Sequence, residues 1–230
     1  MNRKIFAIIT AAGSGSRFNK FSGTKLPKQF LNLSGKPVIL YSLIAFQKCR
    51  NVDEIIISAK REYFELIHKL AAKNKITKLT RLAEGGKTRF ESVKNAFMQI
   101  EVSGSNDLVI IHDAARPNIN SKLVDSVLIQ AYKYGEVIVG TKVSETVKRD
   151  KKGYVNQTVD RENLWTVQTP QVFRHKVLER AYKKCRRIND FTDESSLVEY
   201  VGYRVKIIEG PTDNIKITSP QDLALLKKLL

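Results

Sequence analysis

The sequence predicts an α/β fold: a single Rossmann-like domain with a mainly parallel β-sheet and a protruding β-hairpin arm. Short apolar segments alternate with amphipathic segments of helix length, which is typical of βαβ units. No Pro-, Gly- or Ser-rich linker and no internal repeat divides the 230 residues, so one domain spanning 1–230 is the simplest organisation. The alternation breaks over residues 142–168, which we predict to form the arm.

The first part of the chain contains five candidate strands and four candidate helices. The strands are short runs of apolar and β-branched residues, at Lys4–Thr10, Glu54–Ala59, Lys78–Leu82, Leu108–His112 and Val137–Thr141. Between them, apolar residues recur at the three- and four-residue spacing of one helix face. That spacing predicts helices at about Lys36–Cys49, Glu62–Lys73, Thr88–Ile100 and Ser121–Tyr134.

The arm is predicted from two β-prone stretches, Val143–Val147 and Tyr154–Val159, on either side of a Lys-Lys-Gly turn at 151–153. A lone hairpin buries too little surface to be stable by itself, so we expect the arm to lie against another surface, such as that of a second subunit. After the arm, the pattern predicts helices near 174–187, 194–200 and 220–229 and a strand near 204–208. Ser219 and Pro220, with Asp222 in the first turn, favour the start of the last helix.

Charge and composition restrict the possible functions but do not identify a single one. The chain has 40 Lys and Arg against 23 Asp and Glu, a formal net charge of +17. Such an excess suits a nucleic-acid-binding protein, and it equally suits an enzyme whose substrates are phosphates. No RNP-type, helix-turn-helix or zinc-finger pattern occurs in the sequence. We therefore expect no nucleic-acid partner and keep a basic nucleic-acid-binding protein as a distant alternative.

Targeting and redox signals favour the cytoplasm. The longest apolar runs have the length of a strand, which predicts no membrane span. The opening Met-Asn-Arg-Lys precedes only a short apolar run with no cleavage-site pattern, so we expect no secretory signal. Cys49 and Cys185 are too few and too isolated to form a disulfide framework or a zinc cluster.

A loop of small residues directly follows the first predicted strand. Its residues are Ala11, Ala12, Gly13, Ser14, Gly15 and Ser16, followed by Arg17 and Phe18. Small residues let the backbone approach a phosphate closely and present its N–H groups to it. The spacing matches neither the dinucleotide fingerprint nor the Walker pattern. By itself the loop is as compatible with a plain tight turn as with a phosphate site.

Two cations accompany this loop. Arg17 closes it, and Lys28 follows in the Pro-Lys-Gln-Phe segment at 27–30. Cations behind the carboxyl end of a strand are well placed to hold a triphosphate and to neutralise charge that develops during attack. The alternative is that both are solvated loop charges, and their proximity to the glycine loop favours the functional interpretation.

The segment at 108–117 is the second candidate site. Asp113 follows four apolar residues and His112, at the carboxyl end of a buried strand, where open α/β sheets bind ligands. One carboxylate together with substrate phosphates suits Mg²⁺ or another divalent cation. Arg116 lies three residues further on and is placed for a phosphate; alternatively, Asp113 caps a turn and pairs with Arg116. We expect His112 to bond locally rather than to bind metal.

Two further segments add weaker signals. Gly85 and Gly86 allow close approach to a base or ribose, and Ser92 has a hydroxyl that can bond a base edge. The same segment also predicts a capping box, with Thr88 as N-cap and Glu91 as its partner. Near the end of the chain, 213–218 predicts a short alternating strand that carries Lys216.

These segments together resemble the 2-C-methyl-D-erythritol 4-phosphate cytidylyltransferase family. No single motif is decisive, but the set occurs in the family's order and covers nearly the whole chain. The matching segments are AAGSGSRF (11–18), PKQF (27–30), GGKTRFESV (85–93), HDAARP (112–117), SETVKR (144–149), TVDRENLW (158–165), QTPQVF (168–173), TDESS (192–196) and DNIKIT (213–218).

The resemblance implies a nucleotidyltransferase that transfers CMP from CTP to 2-C-methyl-D-erythritol 4-phosphate and releases pyrophosphate, in isoprenoid precursor synthesis. It implies direct in-line attack by the substrate phosphate, with Arg17 and Lys28 stabilising the transition state. It also implies a homodimer in which the arm crosses to the other subunit, so that Arg161 acts there. The residues that the resemblance implies for nucleotide binding are Ala11 to Ser16, Gly85, Gly86, Ser92, Asp113 and Ala114. Asp113 is also implied to be a ligand of the metal ion. The residues implied to lie near the sugar phosphate are Arg116, Thr146, Arg161, Thr169, Thr192 and Lys216.

Two departures from the family and one close rival accompany this hypothesis. Residues 18–26 form a longer connection than the family predicts, and Lys87 stands where acidic residues are common. The rival is a cytidylyltransferase for another polyol phosphate, such as ribitol 5-phosphate, on the same fold. The segments at 112–117 and 158–165 favour the methylerythritol substrate.

Overall fold

The computed structural model describes residues 3–24, 26–102, 104, 106–185 and 191–230. Its strands are β1 (Ile5–Thr10), β2 (Asn32–Leu33), β3 (Lys36–Pro37), β4 (Glu54–Ala59), β5 (Leu79–Glu84), β6 (Leu108–Asp113), β7 (Val137–Lys142), β8 (Val147–Lys151), β9 (Tyr154–Val159), β10 (Trp165–Arg174) and β11 (Lys206–Glu209). Its helices are α1 (Ser16–Ser22), α2 (Val38–Lys48), α3 (Phe64–Lys73), α4 (Arg89–Phe97), α5 (Ser121–Tyr134), α6 (His175–Lys184), α7 (Glu194–Tyr200) and α8 (Pro220–Leu229), with 3₁₀ turns at Lys28–Phe30 and Arg61–Tyr63.

The central sheet has seven strands in the order β11-β7-β10-β6-β1-β4-β5. The neighbours β5, β4, β1 and β6 run parallel to one another, as do β7 and β11. Strand β10 lies antiparallel between β6 and β7. The predicted α/β class with a mainly parallel sheet is therefore confirmed, and β10 is the strand of this central sheet that the sequence pattern did not predict.

Helices cover both faces of this sheet because the buried strands carry apolar residues on each face. In β1, Ile9 packs with one cluster, which includes residues of α2, α3 and α5, while Ile8 packs with the other, which includes residues of α4, α6 and α7. All six residues of β6 are buried. None of the helices in the described part of the chain is both long and apolar enough to cross a membrane.

The helix starts follow the sequence signals. Thr88 caps α4 and forms the predicted capping box with Glu91, and Ser219 forms one with Asp222 at α8. The helix predicted at 174–187 is present as α6, and residues 186 and 187 lie outside the described residues. Helix α1 occupies much of the long connection at 18–26 and ends at Ser22, with Gly23 as its C-cap at a φ of +67°.

The arm is present, but its first strand lies further along the chain than predicted. Strand β8 begins at Val147, not at Val143, and pairs antiparallel with β9. The turn between them uses Lys152 and Gly153 with φ of +55° and +84°, and positive φ at both central residues is what a tight two-residue hairpin turn requires. Residues 165–168, within the predicted arm segment, belong to the long strand β10.

The prediction of a strand at 213–218 is wrong. The segment has no regular secondary structure. It is fixed by individual bonds: Ile217 donates its N–H to the Ala115 carbonyl at 2.8 Å, and Arg116 Nη1 donates to the Asn214 carbonyl at 2.7 Å. These contacts bury Asn214 and Ile217. The alternation of polar and apolar residues in this segment therefore results from tertiary packing and not from pairing in a sheet.

Candidate active site

Two adjacent cavities open at the edge of the sheet where the parallel strands β1, β4 and β6 end. The larger has a volume of about 500 Å³, which lies in the range of small-molecule sites. The smaller, of about 230 Å³, shares Arg89, Asp113 and Lys216 with the larger. The larger cavity is lined by Thr10, Ala11, Ala12, Gly13, Ser14, Gly15, Ser16, Phe18, Lys28, Gln29, Lys60, Gly86, Lys87, Thr88, Arg89, Ser92, Asp113, Ala115 and Lys216.

The larger cavity is strongly cationic. Among the described side chains that line it, five carry positive charge and one carries negative charge. A partly enclosed site of this kind attracts a polyanion, because opposing charges interact more strongly where water is excluded. The cations are Lys28, Lys60, Lys87, Arg89 and Lys216, and the single acid is Asp113.

The glycine loop after β1 forms one wall of this cavity and is held from behind. Gln29 is buried and donates its side-chain N–H groups to the carbonyls of Ala11 at 2.5 Å and Gly13 at 3.0 Å. Gly15 has a φ of +72° at the point where α1 begins, a conformation that favours glycine. Gln29, which the sequence hypothesis did not single out, therefore shapes the loop that lines the cavity.

Lys28 enters the cavity from the turn that also carries Gln29. Its Nζ donates to the carbonyl of Ile217, next to Lys216. Arg17 is the second residue of α1, and its side chain lies outside the part of the chain that the structure describes. The structure thus brings Lys28 to the predicted site and leaves the predicted position of the Arg17 guanidinium untested.

The loop between β5 and α4 forms the opposite wall. The hydroxyl of Ser92 accepts from the N–H of Gly86 at 3.0 Å and donates to the carbonyl of Thr88 at 2.8 Å. Gly85 lies directly against the glycine loop, since a Cβ there would come within 2.2 Å of the Ala12 Cβ. The two loops are therefore packed together through glycine.

We expect Gly85→Ala to weaken nucleotide binding in the larger cavity and to lower stability. The added methyl group must displace Ala12, and overpacking of this kind costs about 1–3 kcal/mol. Thermal unfolding and the KM for a nucleoside triphosphate measure the two effects. Gly13→Ala is the stability control, because a Cβ at Gly13 meets nothing within 4 Å. An unchanged melting temperature and KM in Gly85→Ala would show that the loops can separate without cost.

Asp113 lies at the centre of an ionic network. Its Oδ1 accepts from Arg89 Nε at 3.1 Å, and its Oδ2 accepts from Lys216 Nζ at 2.6 Å, whereas Arg116 Nε lies 3.9 Å away. Burial by itself would raise the pKa of Asp113, but Arg89 and Lys216 lower that pKa to well below its usual range. The carboxylate is therefore ionised, and its main partners are Arg89 and Lys216 rather than the sequence neighbour Arg116.

Arg89, like Gln29, is a site residue that sequence reasoning missed. It is the first residue of α4, and its Nη1 donates to Oε2 of the fully buried Glu194 at 2.7 Å. Helix starts favour acidic residues because the exposed N–H groups there carry partial positive charge. An arginine at the first position of a helix is therefore unusual, and its place directly after a glycine loop is the sequence feature that could have identified Arg89.

His112 fixes the turn after β6 through local bonds, as the sequence predicted. The hydroxyl of Thr169 accepts from the Asp113 N–H at 3.1 Å and lies 3.0 Å from His112 Nδ1, and His112 Nε2 lies 3.2 Å from the Arg116 carbonyl. Burial lowers the pKa of His112 to about 3, so the ring is neutral. A neutral ring accepts at Nδ1 and donates at Nε2, which satisfies all three groups.

The smaller cavity gathers most of the residues that the sequence assigned to a sugar phosphate. Arg116, Thr169, Thr192 and Lys216 all line it. Thr169 reaches this position because the pairing of β10 with β7 shifts between Gln168 and Gln171. Arg116 donates to the carbonyls of Asn214 and Val167, and its Nε is buried without a hydrogen-bond partner in the described chain.

Gly85 is absent from both cavity linings because it packs against Ala12, and three further predicted residues also lie apart from the linings. Thr146 and Arg161 are exposed at the base of the arm, where Arg161 donates to the carbonyl of Ser144. Ala114 is fully buried, and its neighbour Ala115 lines the larger cavity instead. The roles of these three residues stay predictions.

Comparisons with known proteins agree on one family. Residues 5–230 match the family model for 2-C-methyl-D-erythritol 4-phosphate cytidylyltransferase. A protein of that name from Lachnospira eligens is 39% identical, and the match covers 95% of this chain and 96% of the relative. One from Clostridium novyi is 38% identical, with 97% of this chain and 95% of the relative covered. The crystal structure of the Francisella tularensis 2-C-methyl-D-erythritol 4-phosphate cytidylyltransferase superposes with a TM-score of 0.81 at 31% identity, covering 99% of this chain and all of that one.

Proposed function

Because the chain belongs to the 2-C-methyl-D-erythritol 4-phosphate cytidylyltransferase family, we propose how its own residues carry out the transfer of CMP from CTP to 2-C-methyl-D-erythritol 4-phosphate. The enzyme releases pyrophosphate, in isoprenoid precursor synthesis. The observation that carries the assignment of residues is the pair of adjoining cationic cavities, which share Arg89, Asp113 and Lys216.

CTP occupies the larger cavity in this proposal. Its phosphates lie along the Ala11 to Ser16 loop, whose small side chains leave the backbone N–H groups accessible. Its base lies against Gly86 and Ser92 on the opposite wall. The five lining cations support this placement, since a triphosphate carries about four negative charges, which the site must balance.

Lys28, with Arg17, stabilises the charge that develops as the phosphate of the second substrate attacks the α-phosphorus. No covalent enzyme intermediate is needed, because the attacking oxygen belongs to the substrate. Lys28 is anchored by its bond to the Ile217 carbonyl and lines the cavity, so little reorganisation is needed for its ammonium to reach the transferring group.

Asp113 is the residue that would hold Mg²⁺. It is the one acidic side chain among the described residues lining the larger cavity, it is ionised, and its oxygen atoms are the ligand type that Mg²⁺ prefers. One carboxylate is enough where substrate phosphates supply further oxygens. The ion, when bound, neutralises charge on the triphosphate.

The second substrate occupies the smaller cavity, with its phosphate directed at the shared residues. Arg116, Thr169, Thr192 and Lys216 supply one guanidinium, two hydroxyl groups and one ammonium, which are donors that suit phosphate and polyol oxygens. In-line attack requires the two substrates to meet where the cavities join.

The arm completes the site of a second subunit in a homodimer. Tyr154 and Val155 on β9 are 81% and 69% exposed, which is unusual for such apolar residues unless a partner covers them. Thr146 and Arg161 lie on the same arm, away from both cavities of their own chain. A second copy of the chain would bring them to its substrate.

The reaction takes place in the cytoplasm in this proposal. Both cysteines of the chain, Cys49 and Cys185, are thiols rather than halves of a disulfide bond. A reducing compartment keeps such thiols from oxidising.

We expect pyrophosphate release from CTP only when 2-C-methyl-D-erythritol 4-phosphate is also present. The test is a matrix of four nucleoside triphosphates against 2-C-methyl-D-erythritol 4-phosphate and ribitol 5-phosphate, with Mg²⁺. Turnover of ribitol 5-phosphate without turnover of the methylerythritol substrate would overturn the assignment. Tight RNA binding with a steep salt dependence, and no pyrophosphate release, would instead support a nucleic-acid-binding protein.

A further inference from the structure

Arg89 occupies the junction of the two cavities. It lines both, and 27% of its side chain is exposed. It is presented by α4, whose first turn is fixed by the capping box of Thr88 and Glu91. A cation on a rigid element at this junction lies where the two substrate phosphates must meet.

Two carboxylates hold the guanidinium and leave part of it open. Nε donates to Asp113 Oδ1 and Nη1 donates to Glu194 Oε2, whereas Nη2 has no hydrogen-bond partner among the described residues. A guanidinium has five N–H donors in a planar fork, so it can hold two carboxylates and still bind an anion. The free donors therefore remain available to a ligand in either cavity.

The local charge balance also points to an anion. The described side chains that line the two cavities carry six positive charges against two carboxylates, Asp113 and Asp193, and the buried Glu194 behind Arg89 adds a third. The six cations are Lys28, Lys60, Lys87, Arg89, Arg116 and Lys216. Buried charges are normally paired, and an uncompensated one is costly. A phosphate at the junction would supply the missing negative charge.

Resting on the proposed function, we propose that Arg89 is a further substrate-binding residue: its guanidinium contacts phosphate oxygens where the larger and smaller cavities join, and the buried carboxylate of Glu194 holds it in place. Glu194 is then a positioning residue, since its side chain is fully buried and reaches the substrates only through Arg89.

A double substitution distinguishes substrate binding by Arg89 from a role in which Arg89 only neutralises the charge of Glu194. Replacing both partners by apolar residues of similar size, in Arg89→Met with Glu194→Met, leaves no buried charge unpaired, so we expect a folded enzyme. We expect its kcat/KM to fall on the order of 100-fold, as for loss of one pre-organised donor. A double variant with wild-type kcat/KM would show that Arg89 serves only to neutralise Glu194, and would overturn the proposal.

A second variant covers the case in which the double variant does not fold. Arg89→Lys keeps the charge opposite Glu194 but cannot span two carboxylates and a phosphate at once. We expect it to fold and to lose about tenfold or more in kcat/KM. Full activity in Arg89→Lys would overturn the proposal.

Binding of inorganic pyrophosphate without metal, measured by calorimetry, gives a readout that does not depend on turnover. We expect it to weaken in both Arg89 variants and to stay unchanged when Arg174→Met is combined with Glu136→Met, which removes an ion pair with a buried glutamate at the opposite edge of the sheet. Unchanged binding in the Arg89 variants would count against the proposal. A wild-type protein that binds pyrophosphate but does not turn over the two substrates would refute the proposed function instead.

Discussion

Lys28→Ala is expected to lower kcat on the order of 100- to 1000-fold while changing the KM for CTP far less. In the variant, bound CTP still contacts the other cations of the larger cavity, so its binding in the ground state changes little. The negative charge that develops around the transferring phosphorus in the transition state is no longer stabilised by the Lys28 ammonium. Steady-state pyrophosphate release measures both constants, and a thermal melt checks that the variant is folded.

The matched control is Lys60→Ala. Lys60 lines the same cavity, but its side chain is 49% exposed and it pairs with Glu62 at 3.8 Å. We expect only a small change in kcat in this variant, because an exposed lysine is screened by solvent. A Lys28→Ala enzyme with unchanged kcat and a raised KM would assign Lys28 to ground-state binding alone.

Arg161→Ala is expected to be almost inactive by itself and to regain activity when mixed with Lys28→Ala. If the arm acts on the other subunit, a hybrid dimer contains one site with both Lys28 and Arg161 intact. With random exchange, roughly a quarter of all sites are then complete. Activity before and after subunit exchange, with exchange verified by two different affinity tags, provides the measurement.

Arg149→Ala controls for removing a cation from the arm. Arg149 is an exposed residue of β8, and we expect this variant to be active without mixing. Verified exchange between Arg161→Ala and Lys28→Ala with no recovery of activity would mean that Arg161 serves the site of its own chain.

Sequence periodicity predicted the parallel strands well because these strands are buried on both faces. Glu54–Ala59 and Ser121–Tyr134 match the observed bounds of β4 and α5. Strand β10 escaped prediction because Pro170 stands in its middle, and proline normally argues against an interior strand. The pairing shift between Gln168 and Gln171 accommodates it.

The sequence predicted those parts of the candidate site whose functional residues lie within one short motif. The glycine loop, Lys28 and Asp113 each stand in a short segment with a recognisable composition, and the structure brings them to one cavity. Arg89 and Glu194 are 105 residues apart in the chain, and only the folded molecule shows that they form a pair. Gln29 likewise acts through backbone carbonyls, which leave no trace in a residue pattern.

The irregular segment at 213–218 has a consequence for biosynthesis. It joins the site through bonds that span 98 residues from Arg116, 103 from Asp113 and 189 from Lys28. During translation the sheet strands leave the ribosome first, and domains fold progressively from the amino terminus. A chain that stops before Asp213 contains every strand of the sheet, yet it lacks Lys216 and the carbonyl that anchors Lys28. We therefore expect catalytic competence to be reached only when this last segment has been synthesised and has folded onto the site.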